Sequence, residues 1–363
     1  MRSDRPRILY LSHIDWRWIK QRPQFIAEGL ARSYDVEVAY RRLWRRSQLV
    51  HDEPMLVTHP IWRLPFRRFA RSAAISRELE RRRIERLVER WRPDVVWLCY
   101  PSFYDRLPTS LRRSARVVYD CMDDATAFAF GHERERVSEC ESALLDEAAL
   151  VLCSSARLAE DLRARGAPGD RLQVVRNAYA GEVLPPVDLR SRAQRGDRLR
   201  AGYAGTIARW IDFDSLLAGL DALPGLEIQL LGPMESNVVL PRHPRLSHRG
   251  PVPHEAVPRA ARDWDVLLMP FVRSPLIERV DPVKLYEYIN LDRPIVATRY
   301  PEIARFDAFA DLYSTPHELI ERLRTQFESP RRKYTPAQRS DFLAENAWAN
   351  RVRDIVGLLE PLL

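Results

Sequence analysis

Short aliphatic and β-branched runs alternate along this chain with longer stretches whose apolar positions recur every three to four residues, the helical period. Residues 8–11, 36–40, 95–98, 117–119, 150–153 and 172–176 read as strands. Between them, 23–31, 68–91 and 133–149 carry helical spacing, with Phe25, Ile26 and Leu30 marking the first. Pro93 stops the second helix, and Ser154 and Ser155 suit the N-cap of a further one. The strands are continuous apolar runs, which predicts a parallel sheet covered by helices on both faces. The pattern lapses from 178 to 198, where Pro185-Pro186 precedes a charged, glycine-containing stretch. It then restarts, with strands at 199–204, 228–231, 266–269 and 294–298 and helices at 214–220, 283–290, 318–327 and 341–359. The predicted fold class is α/β: two Rossmann-like, doubly wound parallel-sheet domains facing a central cleft. The expected divisions are residues 1–180, a linker at 181–198, residues 199–340 and a C-terminal helix over 341–363. Ligands of such sheets bind beyond the carboxyl ends of the strands.

At 363 residues and 45% hydrophobic content the chain is too long for one ordinary core and too apolar for disorder. The formal net charge is +8, and only three of the 58 basic residues are lysines: Lys20, Lys284 and Lys333. Between Arg63 and Arg92 there are eleven arginines and four acidic residues, with Trp62, Phe66 and Phe69 beside them. This mixture has two readings: contact with an anionic membrane surface, or a solvated helix face in an Arg-rich chain. No nucleic-acid-binding module accompanies the charge, so nucleic acid is not an expected partner. The four cysteines form no C-x-x-C pair, and Cys99, Cys121 and Cys153, in or beside apolar runs, read as small buried hydrophobes in a reducing compartment. No window approaches 18 uninterrupted apolar residues, and Asp15 breaks the N-terminal run. The expectation is a cytoplasmic protein, soluble or peripheral at the inner face of the membrane.

Candidate chemistry lies at the ends of the predicted strands. In Asp281-Pro-Val-Lys-Leu-Tyr-Glu-Tyr288, Lys284 and Glu287 share one helix face. A cation at a helix N-terminus suits phosphate and a carboxylate suits sugar hydroxyls, although an ordinary surface ion pair has the same spacing. Gly205-Thr206 ends the strand at 199–204; its backbone and the next helix's free amides can meet a phosphate, or Gly205 serves only the turn. Asp120, Asp123 and Asp124 cluster past the strand at 117–119, where they can act as a base or hold an acceptor hydroxyl, or Asp120 caps the following turn. The loop after the first strand holds His13 and Asp15, which can contact a ligand, although a lone histidine is more often structural. Trp16 and Trp18 there can stack on a sugar, and Lys20 and Arg22 can read a phosphate or stand in solvent. Asp263-Trp264-Asp265 spells the D-x-D of metal-dependent sugar transfer but precedes its strand, so it reads as structural and no metal ligands are predicted.

These stretches, in this order, resemble those of GT-B glycosyltransferases of the large retaining family 4, above all bacterial cell-envelope enzymes such as those of teichuronic acid synthesis. The resemblance rests on Trp18-Ile-Lys-Gln-Arg-Pro-Gln24, Tyr119-Asp-Cys-Met-Asp-Asp124, Gly202-Tyr-Ala-Gly-Thr206 with Trp210 and Asp212, and the segment from Asp281 to Tyr288 before its Arg-Pro-Ile-Val strand. Val175-Arg-Asn177 and Asn346-Ala-Trp348 add to it, so nearly the whole chain is covered. It implies transfer of a sugar from a nucleotide sugar, UDP- or GDP-linked, to a glycan, lipid-linked or small-molecule acceptor, with retention and without metal or other cofactor. The second domain would bind the donor through Gly205, Thr206, Arg209, Asp281, Lys284 and Glu287. The first would present the acceptor through Trp16, Trp18, Lys20 and Arg22, with Asp15, His13, Asp124 and Asp120 as catalytic candidates. The C-terminal helix would pack back on the first domain. Glu287 matches the second glutamate of the family's E-x7-E element, which holds the nucleotide ribose, whereas the first falls on Arg279, one position past Glu278. Met122 stands where many members have a histidine nearby. An inverting enzyme using an Asp or His base, and a non-catalytic nucleotide-sugar-binding protein, are the alternatives.

Overall fold

A computed structural model describes residues 5–18, 20–43, 55–63 and 70–363. The chain divides into two units, Met1–Asn177 with Trp348–Leu363, and Ala178–Ala347. The first unit is built on seven strands: β1 (Arg7–Ser12), β2 (Asp35–Leu43), β3 (Val57–Arg63), β4 (Val95–Leu98), β5 (Arg116–Cys121), β6 (Leu150–Cys153) and β7 (Leu172–Val174). They run parallel in the order β3-β2-β1-β4-β5-β6-β7, so the strand order reverses between β1 and β4. The central strands are apolar on both faces: Val95 to Leu98 are fully buried, as are Ile8 to Leu11.

The second unit repeats the plan with six parallel strands: β8 (Leu199–Ala204), β9 (Leu226–Leu231), β10 (Leu246–His248), β11 (Val266–Met269), β12 (Ile295–Thr298) and β13 (Asp311–Tyr313). Their order is β10-β9-β8-β11-β12-β13, and the reversal falls between β8 and β11. Gly202 in β8 has a packing reason, because a Cβ there would lie 2.0 Å from the buried Trp264 ring. Trp264 donates from Nε1 to Gln229 (2.9 Å), while Asp265 binds Arg190 (2.7 Å) and the Arg200 amide (2.9 Å). Trp264 and Asp265 thus belong to the core of this unit, while Asp263 is exposed.

Three edge strands, β3, β10 and β13, escape the pattern. Pro60 interrupts β3, tolerable where one edge carries no partner, and the other two are three residues long. Residues 181–198, expected as a linker, are tied to the second unit. The Leu184 amide donates to Asn290 (3.0 Å) and the Val187 amide to Asp292 (2.9 Å). Such backbone-to-side-chain bonds leave no trace in hydrophobic periodicity. The expected single helix over 341–363 is two helices, Pro336–Glu345 and Trp348–Leu359, separated where the Tyr179 amide binds the Asn346 carbonyl at 2.7 Å. Only the latter joins the first unit, against the helix Arg22–Leu30: Trp348 stacks on Phe25 at 5.3 Å, and Val352 fills the space beside Gly29. Among the described residues no helix is long and apolar enough to cross a membrane.

Candidate functional site

In the second unit the carboxyl ends of β8 and β11 lie side by side at the strand-order reversal, where sheets of this kind bind ligands. The helix Val283–Leu291 points its N-terminus to this region. Pro282 is its N-cap, and no side chain caps its first amides. Lys284, in its first turn, lies against Gly205: a Cβ on Gly205 would sit 3.0 Å from Lys284 Cε. Gly232 backs the same point, since a Cβ on it would meet the Gly205 carbonyl oxygen at 2.1 Å, and its φ of +137° suits glycine. Gly205, Lys284 and an uncapped helix N-terminus therefore converge, as a phosphate cradle requires.

Glu287 stands one turn further on, with both oxygens engaged. Lys284 Nζ donates to Oε2 (2.9 Å), and His254 Nε2 shares a hydrogen bond with Oε1 (3.1 Å). Burial pushes the Glu287 carboxyl upward, but the Lys284 charge and the His254 hydrogen bond overcome it and hold it down to about 2. The same hydrogen bond raises His254 above its ordinary value against burial and Lys284. His254 is the residue that sequence reasoning missed: a lone histidine 33 positions from its partner, in a proline-containing loop, carries no motif.

Other donor-site expectations fare differently. Gly205 and Thr206 are half-buried, and Thr206 accepts from Tyr203 Oη through its carbonyl (3.0 Å). The helix after Gly205 does not begin at once but at Phe213, and Asp212 caps it by accepting from the Ser215 amide (3.0 Å). That N-terminus is occupied by a carboxylate, so the expected phosphate amides are not there. Arg209 lies exposed on the intervening loop. Asp281 is corrected to a structural role: it is fully buried and paired with Arg305, with Tyr286 Oη at 3.2 Å. At the E-x7-E departure, Arg279 donates to the Pro275 carbonyl (2.6 Å) and Glu278 pairs with Arg273 (3.4 Å).

In the first unit the reversal between β1 and β4 is occupied by the loop of His13 and Asp15. His13 rests against Tyr100 with ring centres 4.8 Å apart, and burial, helped by Arg41 and Arg63, pushes it down to about 3. It is neutral at physiological pH. Its Nδ1 and the Asp15 Oδ2 are buried without a hydrogen-bond partner among the described residues. Asp15 Oδ1 accepts from the Arg17 amide (3.2 Å).

Four expectations here are corrected. Trp16 is buried edge-on against Tyr10 (6.3 Å), which stacks on Trp97, so it is core rather than a sugar platform. Arg22 and Asp120 hold each other in a buried bidentate pair (Nε to Oδ1 3.0 Å, Nη2 to Oδ1 2.8 Å), and Arg22 also donates to the Val175 carbonyl (2.7 Å). Neither is open to an acceptor. Asp124 caps the short turn Ala125–Phe128, accepting from the Thr126 hydroxyl (2.6 Å) and amide (3.1 Å). Lys20 pairs with Glu28 and lies over Phe25. Trp18 is half-buried, its amide bonded to the Asp15 carbonyl. Asp123, noticed in the sequence only as part of a cluster, is pushed up to about 7 by burial and by Asp124 and Asp120, against Arg22.

Residues 20–178 match the family model described as a glycosyl transferase 4-like domain. TuaH of Bacillus subtilis (strain 168), named as a candidate teichuronic acid biosynthesis glycosyltransferase, is 25% identical over 226 residues, 58% of this chain and 56% of that one; the match therefore spans about half the length of that relative. Among solved structures, sucrose-phosphate synthase from Thermosynechococcus elongatus superposes with a TM-score of 0.76 at 15% identity, covering 99% of both chains. Anabaena HepE, solved in complex with UDP, gives 0.62 at 14% identity, over 98% of this chain and all of that one. The first unit is therefore similar to a glycosyl transferase 4-like domain over residues 20–178, in a chain whose two parallel sheets give it the GT-B fold.

Proposed function

We propose that this chain transfers a sugar from a nucleotide-sugar donor to an acceptor hydroxyl, its second unit holding the donor and its first the acceptor. The observation that carries this reading is the convergence of Gly205, Lys284 and Glu287 at the reversal of the second sheet. Lys284 and the amides opening Val283–Leu291 take the diphosphate, Glu287 accepts from the ribose hydroxyls, and Thr206 and Arg209 flank them. The positive charge of Lys284 and the helix terminus stabilises the diphosphate as it leaves. The reading assigns no metal and no cofactor beyond the donor. HepE is solved with UDP and with UDP-glucose, which supports a UDP-linked donor. The name of TuaH supports a cell-envelope glycan or lipid-linked acceptor.

Retention is the expected outcome, with the leaving diphosphate accepting the acceptor's proton. One observation favours inversion instead: the unpartnered, buried Asp15 oxygen at the first sheet's reversal is placed as a base would be. NMR of the product anomer separates the two. A thermal-shift comparison with UDP-, GDP- and dTDP-sugars tests the donor site. A ligand at a hundred times its Kd adds about 2.7 kcal/mol to stability. That gain, and transfer to acceptor, should vanish in Lys284→Ala and Glu287→Ala. No stabilisation by any of the three sinks the reading.

The helix Ala70–Trp91 favours a location at the cytoplasmic membrane face. Ile75, Leu79 and, on β3, Trp62 are about half exposed. Arg83 and Arg86 are exposed on the same helix and carry no ion pair among the described residues. Apolar and cationic groups in one surface suit an anionic lipid interface.

A further inference from the structure

Glu287 is held from two elements. Lys284 reaches it from one turn back on its own helix, and His254 from the short turn His254–Ala256 after β10. The two partners differ in what else they face. Lys284 also lies against Gly205, at the phosphate cradle. A lysine ammonium is a point charge on a flexible stem and re-aims readily. A diphosphate at the cradle therefore competes with Glu287 for Lys284, and Glu287 would lose that partner at the moment it must hold sugar hydroxyls. His254 stands on the other oxygen.

We propose that His254 is a positioning residue of the donor site: it keeps Glu287 Oε1 fixed while Lys284 exchanges Oε2 for the donor diphosphate, leaving Oε2 to accept from the nucleotide ribose. This rests on the donor-site reading above. It also has a proton signature. The charged groups facing His254 are Glu287 and Lys284 on Val283–Leu291 and Glu255 beside it. Lys284 now opposes the imidazolium, while Glu287 favours it. Moving the Lys284 charge to a diphosphate leaves Glu287 to His254, so the complex holds the proton more tightly than the free protein. Donor binding then takes up a proton, is tightest below the His254 pKa and weakens as pH rises past it.

Calorimetric titration of the full chain with UDP near pH 7.5, in buffers of different ionisation enthalpy, tests this. The parent should take up protons on binding. His254→Ala should bind about tenfold more weakly, the worth of one hydrogen bond to a charged group, and its proton uptake should disappear. His254→Gln, whose amide still donates to Glu287, should recover most of the affinity but none of the uptake. Unchanged melting of the free variants keeps loss of fold out of the comparison. The proposal is overturned if His254→Ala matches the parent in affinity and uptake, or if Gln rescues no better than Ala. If those variants bind as the parent does while Lys284→Ala abolishes binding, His254 alone is misassigned. Failure of the parent to bind UDP overturns both this and the donor-site reading.

Discussion

At the residue scale, chemistry-bearing types at strand ends divide into those the fold consumes and those it leaves open. Asp120 and Arg22 occupy positions where a catalytic base and a phosphate reader would stand, yet 98 residues of separation hide that they are each other's partners. Spacing along a chain reports local pairs such as Lys284 and Glu287, which is why that pair was legible and the buried one was not. Breaking such a pair is costly, because it strands a charge in the core. Asp123 has no such partner among the described residues, and its raised pKa makes a pH prediction. An unfolded aspartate titrates near 3.9, about three units lower. The folded state therefore holds this proton more tightly. The stability it gives is complete below about pH 4 and is lost as pH rises toward 7. Asp123→Asn keeps the neutral form at every pH, so urea melts should show it no more stable than the parent at pH 4 and more stable at pH 8. An equal difference at both pH values would remove the titration argument.

At the element scale, apolar runs located ten of the thirteen strands among the described residues and missed three of the four at sheet edges, finding β7. An edge strand needs fewer buried side chains, so its pattern is short or broken. The basic helix was found, but its charge is less free than its arginine count suggests. Arg81 pairs with Glu78 and Glu85, Arg82 with Glu78, and Arg41 and Arg106 of neighbouring elements share the buried Glu80. Phe66 and Phe69, expected to join the interface, lie outside the described residues. The membrane reading thus narrows to Ile75, Leu79, Arg83 and Arg86. Each arginine near an anionic surface contributes about 1 kcal/mol, so Arg83→Gln with Arg86→Gln should weaken binding to phosphatidylglycerol vesicles roughly thirtyfold. Stabilisation by nucleotide sugar should stay as in the parent. A parent chain that does not bind such vesicles at low salt makes this helix a solvated face.

At the scale of the whole molecule, the two-sheet plan was legible because each half repeats the same alternation, and the family resemblance also implied that the C-terminal helix packs back on the first domain, as its part from Trp348 onward does. The polypeptide leaves the first unit after Asn177 and returns at Trp348, so the last helix belongs to the domain that begins the chain. What fixes it there is apolar contact with the helix Arg22–Leu30: the Trp348–Phe25 stack and the Val352–Gly29 approach. Trp348 is 8% exposed, so Trp348→Ala should cost about 3 kcal/mol. Because its stacking partner lies in the first unit, the loss should be local. Hydrogen exchange should quicken across Arg22–Leu30 and stay unchanged across Val283–Leu291. Arg22, at the start of the loosened helix, also anchors Asp120 and the Val175 carbonyl. A domain loosened here should therefore lose acceptor handling while keeping its nucleotide site, seen as a fall in transfer at undiminished UDP binding. Equal quickening in both units would instead mean that the returning helix stabilises the chain as one cooperative body.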